Sequence, residues 1–177
     1  YGLPRQAMSQ WRKNLEAAVS LGPEHLSCYG LKVEEGTPLF AQRAEAALPD
    51  DEAQAEFYLY TVEYLASQDY RQYEISNFAR EGRASRHNLK YWTLGEYMGF
   101  GPGAHSDLGG ARYAYEKDLE GYIRGVREHG PLLSESDRIP PMDRDIEWLM
   151  LGLSPVHGLV PKTFENRFRR RFRCFLP

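Results

Sequence analysis

Five side chains in the middle of the chain carry most of its capacity for chemistry: His87, Asn88, Tyr91, Trp92 and His105. The His87 imidazole offers a nitrogen that can ligate iron or move a proton near neutral pH. Tyr91 and Trp92, four and five residues later, add flat apolar surface with polar edges, a set that suits a planar macrocycle. A plainer reading stays open beside it, in which His87 and Asn88 tie down a loop and the two aromatics fill the core. Between Gly99 and His105 lie three glycines and Pro102, a composition that permits positive φ and close approach to the backbone. The segment is read as one wall of a pocket or as a tight turn, and its spacing is not that of a dinucleotide-binding loop. His105 is accordingly a second ligand or a group that caps the loop.

Other chemistries find less support. Cys28 and Cys174 are the only cysteines, too few and too distant for a zinc or iron–sulfur set, and both are expected to be free thiols. His25, His129 and His157 read as structural or solvated, and Asp50, Asp51, Glu52, Asp143, Asp145 and Glu147 as charges at helix starts. No nucleophile lies at elbow spacing from a base. Five arginines between Arg167 and Arg173 make a basic run best explained as a solvated face, and no function is assigned to it.

The elements that must position the candidate residues come next. With 177 residues, 42% apolar, 27% charged and a net charge of −3, the chain has the profile of a folded globular protein, with no global attraction to nucleic acid or anionic lipid. No apolar run approaches the roughly 20 residues that span a bilayer. The first residues do not read as a secretion signal, so a cytoplasmic location is expected. Ser9 is placed as the cap of a first helix with Trp11, Leu15, Ala18 and Val19 on one face, ended by Gly22-Pro23. A strand follows over 25–33, then a helix from Asp50 to about Ser67 with Phe57, Tyr60, Thr61 and Tyr64 facing inward. A further strand is predicted over 72–78. The alternation predicts an α/β fold in which the two strands are parallel neighbours joined by a crossover, sharing a rim at 31–35 and 77–80.

Several motifs together resemble a known family. Tyr1-Gly2-Leu3-Pro4-x-Gln6, Glu34-x-Gly36-Thr37-Pro38, Tyr73-Glu74-Ile75-Ser76-Asn77-Phe78-Ala79-Arg80, His87-Asn88-x-x-Tyr91-Trp92 and Gly101-Pro102-Gly103-Ala104-His105-Ser106 follow one another as in the HemW-type, oxygen-independent coproporphyrinogen III oxidase-like radical S-adenosylmethionine proteins. The match runs from residue 1 to about Leu153 and resembles the C-terminal half of that family. The HN-x-x-YW element points to the haem-handling members rather than to the dehydrogenase.

The resemblance implies the C-terminal part of a partial (β/α) barrel with parallel strands and the HN-x-x-YW and GPGAHS segments, over 1–110. A smaller, mainly helical region follows over 111–177. It implies a haem chaperone that delivers haem to client haemoproteins, with coproporphyrinogen dehydrogenation or a plain interaction domain as alternatives. His87 becomes the haem-iron ligand, Tyr91 and Trp92 its packing partners, Asn88 the group that orients the imidazole, and His105 a reserve ligand. Gly30, Leu31 and Lys32 correspond to backbone near the adenosine of S-adenosylmethionine, although the family commonly carries a longer polar residue at Gly30. The family's [4Fe–4S] motif, C-x-x-x-C-x-x-C, does not occur in this sequence, so no activity is expected of the chain alone. No nucleic-acid partner is expected, membrane association is expected only through a client, and an exposed barrel edge is expected to favour self-association.

Overall fold

The computed structural model describes residues 1–43, 45–130 and 132–169. They form two compact units, 1–85 and from 86 onward, with the division immediately before the His87 segment.

The first unit contains α1 (Met8–Ser20), β1 (His25–Ser27), α2 (Pro38–Ala41), α3 (Asp51–Ser67), β2 (Arg71–Glu74) and β3 (Asn77–Ala79). Ala7, not Ser9, is the residue before α1, and the Gln10 side chain accepts a 2.8 Å hydrogen bond from the Ala7 amide. Asp50 caps α3 as expected by accepting from the Ala53 amide at 2.9 Å, and Asp51 and Glu52 sit favourably at the positive end of the helix dipole. The two helices bury Leu15, Phe57, Thr61 and Leu65, and Leu15 and Leu65 meet Tyr70, Phe78 and Cys28 from the sheet side in one core. Each buried aliphatic or aromatic side chain contributes about 1.5–3 kcal/mol. The Trp11 indole donates to Thr61 Oγ1 at 2.8 Å, so the polar edge of a packed aromatic is satisfied inside the helix pair.

The strands correct the expected parallel arrangement. The stretch predicted as one strand folds into a hairpin, with Ile75-Ser76 as its turn, and the sheet order is β1-β3-β2 with both pairings antiparallel. β1 and β2 therefore do run in the same direction with α3 between them in sequence, but β3 is inserted between them in the sheet. The cause lies in Asn77. Buried at the start of β3, it donates through Nδ2 to Glu74 and to the Tyr29 hydroxyl (3.1 Å), and accepts from Ser27 Oγ at 2.5 Å. Reversal of the chain lets one amide satisfy three groups that a continuous strand would leave apart.

In the second unit, α4 (Arg86–Trp92) leads into β4 (His105–Leu108), β5 (Ala111–Tyr115), α5 (Leu119–Glu128), β6 (Leu133–Arg138), α6 (Pro141–Leu151) and α7 (Pro161–Phe168). The three strands form an antiparallel sheet in the order β4-β5-β6. The stretch 111–177, expected to be mainly helical, contributes α5, α6 and α7 together with the strands β5 and β6. Its local sequence explains the hairpin: Gly109 and Gly110 both adopt positive φ between β4 and β5. Trp148 of α6 and Phe164 of α7 pack at 5.4 Å between ring centres and, with Leu94, form the buried core of this unit. Among the described residues no helix is long and apolar enough to cross a membrane.

Candidate functional site

His87, Asn88, Tyr91 and Trp92 all lie on α4, a helix of seven residues. Isolated helices of that length are not stable in water, so α4 must be held by its surroundings. Its C-terminus closes in a Schellman turn, in which the Gly95 amide donates to Lys90 O at 2.7 Å and the Leu94 amide to Tyr91 O at 3.1 Å. Leu94 occupies the left-handed position at φ 51°. A non-glycine residue there costs about 1–2 kcal/mol, and Leu94 offsets this by burying its side chain against Trp148 and Phe164. From α7, the Arg167 guanidinium donates to Thr93 O at 2.5 Å and to Leu94 O. A cation on the exposed carbonyls of a helix C-terminus is favourable in both hydrogen bonding and dipole. Burial, and then the like charge of Arg144, push the Arg167 guanidinium below its ordinary pKa. Sequence reasoning had placed Arg167 in a solvated basic run; the rest of that run, from Arg170 onward, lies outside the described residues.

The helix brings together His87 and Tyr91. The Tyr91 hydroxyl lies 3.0 Å from His87 Nε2, with the rings edge-on at 88°. Tyr91 in turn packs edge-on against Tyr97 at 4.7 Å. His87 and Tyr91 are exposed and Trp92 is half-buried, so Tyr91 does not fill the core as the plainer reading has it. Asn88 is half-buried and engaged within the protein, and as the next residue on a helix it faces away from His87. The group that contacts the imidazole is thus Tyr91. Trp92 is half-buried and lines a cleft of about 80 Å³ together with Trp148 and His157, a space far too small for a macrocycle.

His105 stands apart. It is exposed on β4 opposite Ala114 and makes no ring contact or side-chain hydrogen bond with His87. The glycine-dense segment serves the protein's own backbone: a Cβ at Gly99 would collide with the His105 carbonyl oxygen, and the Gly99 amide donates to the buried Ser106 hydroxyl at 3.0 Å. Tight packing of β4, rather than the wall of a ligand pocket, accounts for glycine there.

Sequence reasoning missed a four-membered ion network behind Tyr97. Asp107 of β4 accepts from both Arg144 nitrogens and from Arg112 at 3.1 Å, while Arg112 also forks onto Glu147 at 2.9 and 3.1 Å. Burial alone would raise the Asp107 carboxyl; the hydrogen bonds from Arg144 and Arg112 outweigh it and hold the pKa below the usual carboxylate range. Tyr97 exchanges main-chain hydrogen bonds with Asp107, both 2.9 Å, and burial raises its phenol pKa. Of the acidic residues expected to be helix-start charges, Glu147 belongs to this network and Asp145 is buried and engaged.

In the first unit, Gly30 and Lys32 are exposed and Leu31 is half-buried. The Leu31 amide donates to Tyr1 O at 2.7 Å, the Tyr1 amino group donates to Tyr29 O at 2.8 Å, and Lys32 pairs with Glu34 at 2.9 Å in solvent. The three residues form a strip of backbone beside Tyr1. Cys28 is buried, and desolvation pushes its thiol up to about 11, which keeps the proton on sulfur at neutral pH. Among the described residues no group of His, Cys, Asp and Glu is arranged to hold a metal ion, so the residues present do not fit an iron–sulfur cluster.

No family model matches the chain. It is 34% identical to Heme chaperone HemW of Bacillus subtilis (strain 168), over all of this chain and 47% of that protein. Against Heme chaperone HemW of Synechocystis it is 36% identical over 90% of the chain and 40% of the relative. Identity is 45% with the mouse Radical S-adenosyl methionine domain-containing protein 1, mitochondrial, over 93% of this chain and 40% of that protein. The chain belongs to the HemW-type family. It spans about half the length of the curated relatives it matches. In fold, it resembles Coproporphyrinogen III oxidase (HemN) from Escherichia coli, a radical SAM enzyme, with a TM-score of 0.76 over 99% of this chain and 43% of that one at 21% identity.

Proposed function

We propose that this chain carries the haem-contacting part of a haem chaperone, with His87 as the iron ligand and delivery to client haemoproteins as its purpose. The observation that carries the reading is the exposure of the His87 imidazole on a helix held firmly from behind, in a chain related to proteins named as haem chaperones. Haem, when bound, would supply a Lewis-acidic iron for a nitrogen donor and a flat apolar surface for aromatic packing. The residues on this chain fit it: an exposed imidazole with an exposed phenol ring one turn away. Asn88 and Trp92 support the helix, and His105 is the reserve ligand. Gly30, Leu31 and Lys32 are offered as backbone for the adenosine of S-adenosylmethionine, whose cluster partner this chain's residues do not hold. A cytoplasmic location, the absence of a nucleic-acid partner and membrane association only through a client complete the proposal.

A plain interaction domain would be favoured by an imidazole buried in the core and satisfied by protein groups; His87 is exposed, with the Tyr91 hydroxyl as its contact. The HN-x-x-YW element, His87-Asn88-x-x-Tyr91-Trp92, favours the haem reading over dehydrogenation of coproporphyrinogen. The test is a haemin titration of the full chain followed by absorbance, with His87→Ala and His105→Ala in parallel. Saturation near one equivalent that is lost only in His87→Ala supports the assignment. Absent binding, or binding indifferent to both changes, refutes it.

A further inference from the structure

Helix geometry sets Tyr91 against His87. A residue four positions on lies one turn away on the same face, and helical side chains lean toward the N-terminus, so the phenol reaches back over the imidazole. The contact is made at one nitrogen, Nε2, at 3.0 Å. Tyr91 is itself steadied, because its ring packs on Tyr97 and Tyr97 is bound through its main chain to Asp107.

A neutral imidazole has one lone pair and one N–H. If the phenol donates to Nε2, that lone pair is occupied. If Nε2 carries the proton and donates to the phenol oxygen, it has no lone pair to offer. In either tautomer Nε2 cannot bind iron while the hydrogen bond stands. We infer that the Tyr91 hydroxyl is a displaceable cover on His87 Nε2, which lowers the affinity for haem and keeps the bound group exchangeable. This rests on the haem reading of His87. Tyr91 is then a competitor of the iron as well as a neighbouring ring. It is 37% exposed, so the phenol can turn into solvent without opening the core. Weak, reversible ligation suits a protein that must surrender what it binds.

Tyr91→Phe tests the inference, since it keeps the ring on Tyr97 and removes only the hydroxyl. Haemin titration of the full chain is expected to give binding about three- to tenfold tighter than the parent, the factor that one hydrogen bond represents. Without haem, the ¹⁵N resonances of the His87 ring are expected to move in Tyr91→Phe, with the change centred on Nε2. Weaker binding in Tyr91→Phe overturns the inference and means that Tyr91 orients the ring for ligation through Nδ1. Unchanged affinity also overturns it. If haemin binding is the same in His87→Ala as in the parent, the haem reading itself falls, and the inference with it; loss in His87→Ala with no gain in Tyr91→Phe removes the inference alone.

Discussion

Asp107→Asn is expected to weaken the second unit sharply while leaving His87 and Tyr91 chemically untouched. In the native network two carboxylates face two guanidinium groups, with side-chain exposures of 9% for Asp107, 16% for Arg144, 27% for Glu147 and 36% for Arg112. The substitution leaves two cations on one carboxylate. Arg112 keeps its fork onto Glu147, whereas Arg144 loses the charge of Asp107 and one of its two acceptors there, keeping at most a bond to the amide oxygen and a 3.4 Å approach to Glu147. Breaking a fully buried pair costs about 3–5 kcal/mol and breaking an exposed one about 0–1. The intermediate exposure of Arg144 places Asp107→Asn at about 2 kcal/mol, which at a typical urea slope of about 1–3 kcal/mol/M lowers the midpoint by about 1 M. Tryptophan emission is a suitable probe, because Trp92 and Trp148 lie in the second unit and only Trp11 in the first. The sign with pH follows from the depressed native pKa of Asp107. Its contribution is fully present above the unfolded carboxylate value of about 3.9 and is lost as pH falls below it through the native value. The parent and Asp107→Asn should therefore differ by a constant amount between pH 5 and 8 and converge below about pH 4. A midpoint shift under about 0.3 M at pH 7, or a gap that persists in acid, refutes the assignment of strength to this network.

Leu94→Ala should cost about 2–4 kcal/mol in urea unfolding, since it removes core volume beside Trp148 and Phe164 while leaving the left-handed backbone strained. Cys28, buried with its thiol pushed up to about 11, should resist iodoacetamide at pH 8 in the native protein and react once urea is added, as read by peptide mass spectrometry; rapid native labelling would contradict its burial.

What the sequence reveals of the fold follows from range. The helix from Asp50 to about Ser67 is legible because its cap and its first-turn acids are local, although its buried face runs through Leu65, with Tyr60 and Tyr64 only half-buried. The hairpin of β2 and β3 is not, because no Asn-Gly or Asp-Gly pair announces the turn and Ile75 reads as a strand residue. What reverses the chain is a set of contacts from Asn77 to Ser27 and Tyr29, some fifty residues away, invisible to any local pattern. The candidate site divides in the same way. The four-residue spacing of His87 and Tyr91 is visible in the sequence, but the short helix that puts them on one face is not announced locally, and Asp107, Arg112, Arg144 and Glu147 look like ordinary surface charges until the sheet and α6 bring them together.

The helix that carries His87 contributes little to its own position. Seven residues supply too few hydrogen bonds to offset nucleation, and α4 ends in a strained left-handed leucine instead of the usual glycine. Its placement is imposed by Leu94 in the core, Arg167 on the last carbonyls, and Tyr97 behind Tyr91. Two of those supports lead to the same elements: Phe164 and Arg167 both belong to α7, and Trp148 and Arg144 both belong to α6. A ligand carried on a helix held this way keeps its geometry only while the core of the second unit is intact. The imidazole itself can remain exposed and lightly covered, because the rigidity that positions it comes from residues that never touch it.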